Sequence, residues 1–482
     1  MILLFLISFS LIASLLSVIV KEANFSSKIT LVSSMLTLFV SIRAVLNIIN
    51  TSSHTITAIP NWIALNAFGV IIVLLIAFIY FTASIFSIGY MKYDKNSTPQ
   101  KYFLNFNLFA FSMLILPLIL EPNSVWIAVE LTTLFSVLLV GFQNTRAAIE
   151  AAWKYIVLTI MGAAIALLGF LILYWAAKQA GIEHYTWQGL QSIAPQMSPV
   201  LLKASFIFIF VGFGAKVGLV PLHTWLPDAH SQAPSPVCAM LSGIETTAIL
   251  YIIFRLLPII EASHSVDINS WLVTFGLISV GVASFLLLQV KDYKRLFAFS
   301  TVEQMGIILV AVGLGGYQAH LAAVQQIIAH AVTKSFCFYA AGGVLLFVGT
   351  RDIASVQNLI KRSPVAGTAF LLGGLSIAGA PPFALFLSEF SILKAGLYKG
   401  DYVIMGLLVF FIAIAFFAIM NHISRMVFGN GDIEVKKERL FSLPISSKIT
   451  FVIAFLPIIL LGIYIPQTLQ TLIKLAAVTI GG

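Results

Sequence analysis

Seven ionisable side chains interrupt long apolar runs: Glu130, Lys216, Glu245, Glu303, His330, Lys334 and Glu389; an eighth candidate for proton transfer, Lys294, stands in a loop beside Lys291, Asp292 and Arg295. A charge in hydrocarbon costs about 3 kcal/mol or more, so such residues pair with one another or line ion and proton pathways. Glu130 stands in Val125-Trp126-Ile127-Ala128-Val129-Glu130-Leu131, far in sequence from any water-facing end. Lys216 follows Lys203 by 13 residues, which is about 20 Å along a helix and therefore deep in a membrane. Pro221 cannot donate to the carbonyl of Val217, so the helix breaks beside the lysine. A buried ammonium gives up its proton more readily than a solvated one, and an approaching carboxylate reverses that. A lysine whose partner moves can therefore release and rebind a proton. Glu389 follows a second break at Pro381-Pro382. His330 and Lys334 are four residues apart and share one helix face, which Gln325-Gln326 extends by a turn. A neutral histidine beside a lysine can pass a proton onward. Glu245 and Glu303 fit either direct proton transfer or structural pairing with a lysine, and Lys294 is expected among the proton-transfer residues. Asp228 suits a helix cap, and Arg43 and His320 suit packing near span ends.

The elements that must position these groups follow from composition. Of 482 residues, 60% are hydrophobic and 9% are charged, against roughly 25% charged in a soluble domain. Mean hydropathy is +1.03. Those values exclude a soluble enzyme, a nucleic-acid binder and a disordered chain. Uninterrupted apolar runs exclude an outer-membrane barrel, whose strands alternate. The fold expected is an all-α polytopic membrane protein of about 14 transmembrane helices. The expected spans include 102–120, 122–142, 201–225, 233–258, 364–393 and 449–472. The first 20 residues lack a basic leader and a cleavage site and read as a first span.

Lysine and arginine divide 18 to 6 between alternate loops, with Arg43, Lys216 and Lys334 inside spans. The richer set is expected in the cytoplasm, which places both termini outside. Cys238 and Cys337 lie in apolar segments and read as small core residues. No Gly-rich phosphate loop, CxxC pair or long hydrophilic domain occurs. No cofactor or metal is therefore expected on this chain, and no catalytic site. A redox cofactor or nucleotide would belong to another chain.

The run Lys216-Val217-Gly218-Leu219-Val220-Pro221-Leu222-His223-Thr224-Trp225-Leu226-Pro227-Asp228-Ala229-His230, with Ala233-Pro234-Ser235-Pro236-Val237 after it, resembles the signature of the proton-conducting antiporter-like membrane subunits. That family includes the large membrane subunits of respiratory complex I, Mrp cation/proton antiporter subunits and membrane subunits of energy-converting hydrogenases. Lys294-Arg295-Leu296-Phe297-Ala298-Phe299-Ser300-Thr301-Val302-Glu303-Gln304-Met305-Gly306 is similar to a second family segment. The glutamate before Gln304 and the short chain most resemble the F branch of the hydrogenase-4 membrane proteins.

The resemblance implies two inverted five-helix repeats with broken helices at Pro221 and Pro381. It divides the chain into N-terminal helices (1–100), a first repeat (101–258), a second repeat (268–428), and a cytoplasmic loop with a last helix (429–482). It implies that Glu130 and Lys216 form a coupled pair, that His330 and Lys334 lie on a connecting axis, and that Glu389 is the exit residue. The family's bridging base in the eighth span falls near Thr247 or Ser242, neither of which titrates. Either Glu245 bridges there with altered charge, or the wire is interrupted.

The function expected is a proton-translocating subunit of a multi-subunit, redox-driven membrane complex in a prokaryotic cytoplasmic membrane. Its partners would be other integral membrane subunits, peripheral cytoplasmic redox subunits and the lipid bilayer, with no nucleic acid. Two alternatives stay open. One is an Mrp-type cation/proton antiporter subunit that also moves sodium. The other is a proton-feeding membrane partner of an inorganic-carbon uptake system.

Overall fold

A computed structural model describes residues 1–20, 22–93, 98–264, 266–431 and 442–481. Lys21, Lys95, Lys436, Lys437 and Arg439 of the loop-charge count lie outside the described residues, as does much of the loop expected after 429. Helices α1 (Ile2–Ile19) and α2 (Ala23–Asn50) lead to an antiparallel hairpin of β1 (Thr55–Ile59) and β2 (Ile63–Asn66), and then to α3 (Ala67–Tyr90). Next come α4 (Pro99–Ile115), α5 (Pro122–Val140), α6 (Arg146–Gln179), the short α7 (Trp187–Ile193) and α8 (Pro199–Val217). After the first break follow α9 (Trp225–Gln232), α10 (Ser235–Met240), a π-helical turn over Leu241–Glu245, α11 (Thr246–Phe254) and α12 (Leu257–Ser263). The second half holds α13 (Asn269–Leu287), α14 (Tyr293–Gly313), α15 (Tyr317–Val348), the short α16 (Leu359–Arg362) and α17 (Pro364–Ile377). Beyond the second break lie α18 (Ala384–Lys399), α19 (Tyr402–Phe428), α20 (Ile445–Ile463) and α21 (Gln467–Ile480).

Thirteen helices among the described residues are long and apolar enough to cross a membrane. The expected span at 364–393 is divided into two shorter helices, α17 and α18. The tight turn expected between 120 and 122 is real. Glu121 caps α5 by accepting from the backbone N–H of Ser124 at 3.0 Å, and Pro122 takes the first helical position, where its missing N–H costs nothing. The expected single span at 449–472 is corrected. Its helix ends at Ile463, and Pro466 starts a separate helix, α21, packed against α3 and α15.

The apolar windows of α10–α12, α14 and α15 are 94–100% buried, whereas those of α19 and α20 are 28% buried. The first group forms the centre, and the second faces outward.

The two breaks share one local grammar at a constant offset of 161 residues. Gly218 (φ +85°) and Gly379 (φ +74°) adopt the left-handed conformation, and each precedes by three residues a cis proline, Pro221 or Pro382. Leu219 N–H donates to Gly214 O at 2.9 Å, and Ala380 N–H to Leu375 O at 3.1 Å. These bonds satisfy carbonyls that the helix ends would leave orphaned. The left-handed conformation at Gly218 favours glycine, and a Cβ there would also sit 2.5 Å from Leu226 Cδ1, which would have to shift. Each break lies in the fourth crossing of a five-helix unit. Five is odd, so the second unit is inverted relative to the first.

Candidate functional site

The site is built around the end of α8. Lys216 is 2% exposed and its ammonium has three donors. They go to Val129 O at 3.2 Å, to Thr133 Oγ1, and to Glu245 Oε1 at 3.2 Å. Val129 and Thr133 flank Glu130 on α5, yet the ion pair is with Glu245. The expected Glu130–Lys216 coupling is therefore not a direct ion pair in this state. All three donors are engaged elsewhere, and Glu130 Oε1 is buried without a hydrogen-bond partner among the described residues. Glu130 remains close enough to feel the charge of Lys216.

Glu245 ends the π-helical turn. Its Oε1 also accepts from the Tyr155 hydroxyl at 3.3 Å, and Tyr155 meets Ser136 Oγ of α5 at 2.7 Å. Three residues before Glu245, the Ser242 carbonyl meets His330 Nε2 at 3.1 Å. A carbonyl only accepts, so Nε2 carries the proton. Nδ1, the basic nitrogen, has no partner among the described residues. Ser242 Oγ meets Thr301 Oγ1 of α14 at 2.6 Å. Glu245 thus meets Lys216 of α8, and Ser242 of the same turn meets His330 of α15.

In the second half, Lys334 donates to Ser300 Oγ at 2.5 Å and to Phe297 O. Glu303, 3% exposed, lies close enough to feel the charges of Lys334 and Glu389. Glu389 accepts from Gln304 Nε2 at 3.2 Å, and Gln304 Oε1 accepts from Gln326 Nε2 at 2.6 Å. The Glu389 carboxylate lies against Gly379, where a Cβ would come within 2.5 Å of Oε2.

Lys294 is placed apart from this series. Its buried ammonium donates to Ala233 O at 2.6 Å and Ser231 O at 3.3 Å, and Arg351 donates to Ser231 O beside it. Two cations thus clamp the last carbonyls of α9, a favourable place for positive charge. A cavity of about 220 Å³ lined by Tyr93, Gln143, Lys294 and Arg351 opens beside the clamp. Asp228 does not cap α9. It pairs with Lys154 of α6 at 3.1 Å and with Arg295 of α14.

Reading charges alone passes over Tyr155, Thr133, Ser136, Ser242 and Gln304. Their signal is present as polar tips inside apolar runs, but hydroxyls are common in membrane helices and only the fold selects these.

Residues 123–415 match the model for the transmembrane part of NADH:quinone oxidoreductase and Mrp antiporter subunits. The chain belongs to that family. It is 35% identical over 408 residues to a hydrogenase-4 component F homolog of Methylacidiphilum infernorum, covering 82% of this chain and 84% of the relative. It is 33% identical to Na(+)/H(+) antiporter subunit A1 of Staphylococcus aureus, covering 73% of this chain and 46% of the relative. Hydrogenase-4 component B of Escherichia coli is 31% identical, and the match covers 66% of this chain and 48% of that protein. The chain therefore spans under half the length of these two longer relatives. A chain of the archaeal membrane-bound sulfane sulfur reductase shares the fold (TM-score 0.88, 24% identity, 99% of this chain and 97% of that one). So does a chain of the Mrp complex from Dietzia (TM-score 0.88, 18% identity, 100% and 97%). The protein is a multi-pass, antiporter-like membrane subunit, and its relatives and fold neighbours are parts of multi-subunit membrane complexes.

Proposed function

We propose that this subunit moves protons within a redox-driven membrane complex, and that Lys216 does so by exchanging Glu245 for Glu130. The observation that carries this reading is the saturated ammonium of Lys216, bonded on both sides of an acid it does not pair with. In the state described here Lys216 is held by Glu245. Movement toward Glu130 would leave Glu245 to take a proton, and return would release one. His330 Nδ1 lies beyond the Ser242 carbonyl as the next basic atom, and Lys334, Glu303 and Glu389 continue the series. Glu389 is the exit acid in this reading, and the lysine- and arginine-rich loops face the cytoplasm. Lys294 serves as a clamp rather than a carrier. The two halves are the repeats at 101–258 and 268–428. The 84% coverage of a hydrogenase-4 component F homolog supports a hydrogenase-type partner complex with peripheral redox subunits. The similarity to an Na(+)/H(+) antiporter subunit favours the second reading, secondary cation/proton exchange with sodium as the other ion.

The test is mild-detergent purification of the tagged chain with its native partners, identified by mass spectrometry. Reconstituted vesicles would then be given an imposed membrane potential. Co-purifying redox subunits, with Lys216→Ala assembled but unable to take up protons, is the expected result. Full proton uptake by Lys216→Ala would end the proton-transfer reading. Co-purification with only other antiporter-like chains, or with a lone zinc protein, would replace the redox reading by secondary transport or carbon uptake.

A further inference from the structure

Tyr155 has no ionisable role in the series above, yet it touches both parts that must move together. It is fully buried on α6. Its ring stacks on Trp225 with centroids 4.4 Å apart and planes at 29°. Trp225 is the first residue of α9, just after the break, and its Nε1 donates 2.8 Å to Ala215 O, just before the break. The indole therefore spans the interruption beside Lys216. The other end of Tyr155 is the hydroxyl on Glu245. Its neighbour Lys154 holds Asp228 of the same α9 from outside, and Asp228 also takes Arg295 from the second half. Two adjacent residues of α6 thus grip α9, one by charge at its exposed side and one by a ring at its buried side.

We propose that Tyr155 is a positioning residue that ties the state of the broken helix to the carboxylate Lys216 selects. This rests on the exchange reading above. With α9 seated as described, the ring on Trp225 holds the hydroxyl on Glu245, so Glu245 is the better partner for Lys216. When α9 tilts at the Gly218–Pro221 break, Trp225 carries the ring with it and the hydroxyl leaves Glu245. Lys216 then turns to Glu130, which lies within reach of the same α5 contacts. The hydroxyl suits both protonation states of the acid. Ser136 donates to Tyr155 while Tyr155 donates to charged Glu245. With Glu245 neutral, the acid proton points to Tyr155, Tyr155 donates to Ser136, and Ser136 turns its single proton to Thr132 O, 2.6 Å from its Oγ. No proton is created or lost in that reversal. The charged and titratable groups around Glu245 are Lys216 of α8, Tyr155 of α6 and, from α5, Glu130, whose charge reaches Tyr155.

The other half contains a related arrangement. Tyr155 is the tenth residue of α6 and Gln326 the tenth of α15. Gln326 likewise supports a buried acid beside a break, through Gln304 to Glu389.

The experiment uses the native complex in vesicles under an imposed potential, with proton uptake measured from pH 5.5 to 9. Tyr155→Phe keeps the ring and removes the hydroxyl. It should assemble fully, lower uptake at least tenfold at the wild-type optimum, and move that optimum by about one pH unit. Trp225→Phe should move it in the same direction, and neither change should add to Glu245→Gln. Difference infrared spectra should show the Glu245 carboxyl band, identified by its loss in Glu245→Gln, shifted in Tyr155→Phe. An unchanged optimum and band in Tyr155→Phe, with Lys216→Ala inactive, would overturn this inference and leave the exchange reading standing. Full activity of Lys216→Ala would remove both. If Tyr155→Phe assembles poorly, the band and optimum in Trp225→Phe decide: no shift there overturns the coupling.

Discussion

Glu245→Gln separates a static ion pair from an exchanging one. The pair spans 3.2 Å with both side chains 2% exposed. At an effective dielectric of about 20, unit charges at that distance attract by roughly 5 kcal/mol. Removing one partner of a buried pair costs about 3–5 kcal/mol when the other charge stays unpaired. Lys216 need not stay unpaired, because Glu130 is close enough to feel its charge. Glu245→Gln alone is therefore expected to cost about 1 kcal/mol, the worth of one hydrogen bond. Glu130→Gln with Glu245→Gln together leaves no carboxylate and should cost about 3–5 kcal/mol. Cys238 and Cys337 are buried free thiols and can report opening. Where reclosing outpaces labelling, the labelling rate follows the opened population. The single variant should label about fivefold faster than wild type, and the double variant at least a hundredfold faster, since each 1.4 kcal/mol is tenfold. The reasoning is falsified if Glu245→Gln labels as fast as the double variant, because Lys216 then has no access to Glu130.

Other substitutions probe the frame around the pair. Gly218→Ala combines positive φ with a Cβ 2.5 Å from Leu226 Cδ1, so thermal unfolding of the complex should show a loss of at least 1–2 kcal/mol. Lys294→Met leaves the Ser231 and Ala233 carbonyls without that ammonium. It should destabilise by about 1–3 kcal/mol while the pH profile of proton uptake per assembled complex stays unchanged; a moved profile would return Lys294 to the carrier series.

Much of this is legible without the fold. The apolar runs give the crossings, and Pro221 and Pro381 mark the breaks, because a missing N–H cannot be hidden in an apolar helix. The spacing of single charges also isolates the buried acids and bases. Pairing is not legible. Lys216 lies 86 residues from Glu130 and 29 from Glu245 along the chain, and neither separation says which carboxylate the ammonium meets. Glu245 ends the π-helical turn at Leu241–Glu245, and no residue type announces such a turn. Lys294 misleads for a related reason. It stands in a charged loop stretch that opens a family-like segment, but its partners are backbone carbonyls, which carry no signature in sequence. The end of the last span is blurred because α21 is itself apolar on the side it packs.

The inverted halves share a backbone but not their charges, and this argues for one directed route rather than two equivalent channels. At the offset that superposes the breaks, Lys216 corresponds to Ile377, and Asp228 to Glu389. The two acids occupy matching places after the break, so inversion turns them toward opposite faces. Asp228 is partly exposed and carries two cations, Lys154 and Arg295, which are themselves 47% and 45% exposed. Exposed pairs of this kind contribute about 0–1 kcal/mol. Glu389 is 7% exposed and bonded to Gln304, and its charge reaches Glu303. Removing the charge should therefore have unequal consequences. Asp228→Asn should leave at least a third of proton uptake under an imposed potential. Glu389→Gln keeps an acceptor for Gln304, so the complex should assemble, yet uptake should fall at least tenfold because an amide cannot release a proton. Equal losses in the two variants would mean that the halves work in parallel. A near-normal Glu389→Gln would mean that protons leave by another path.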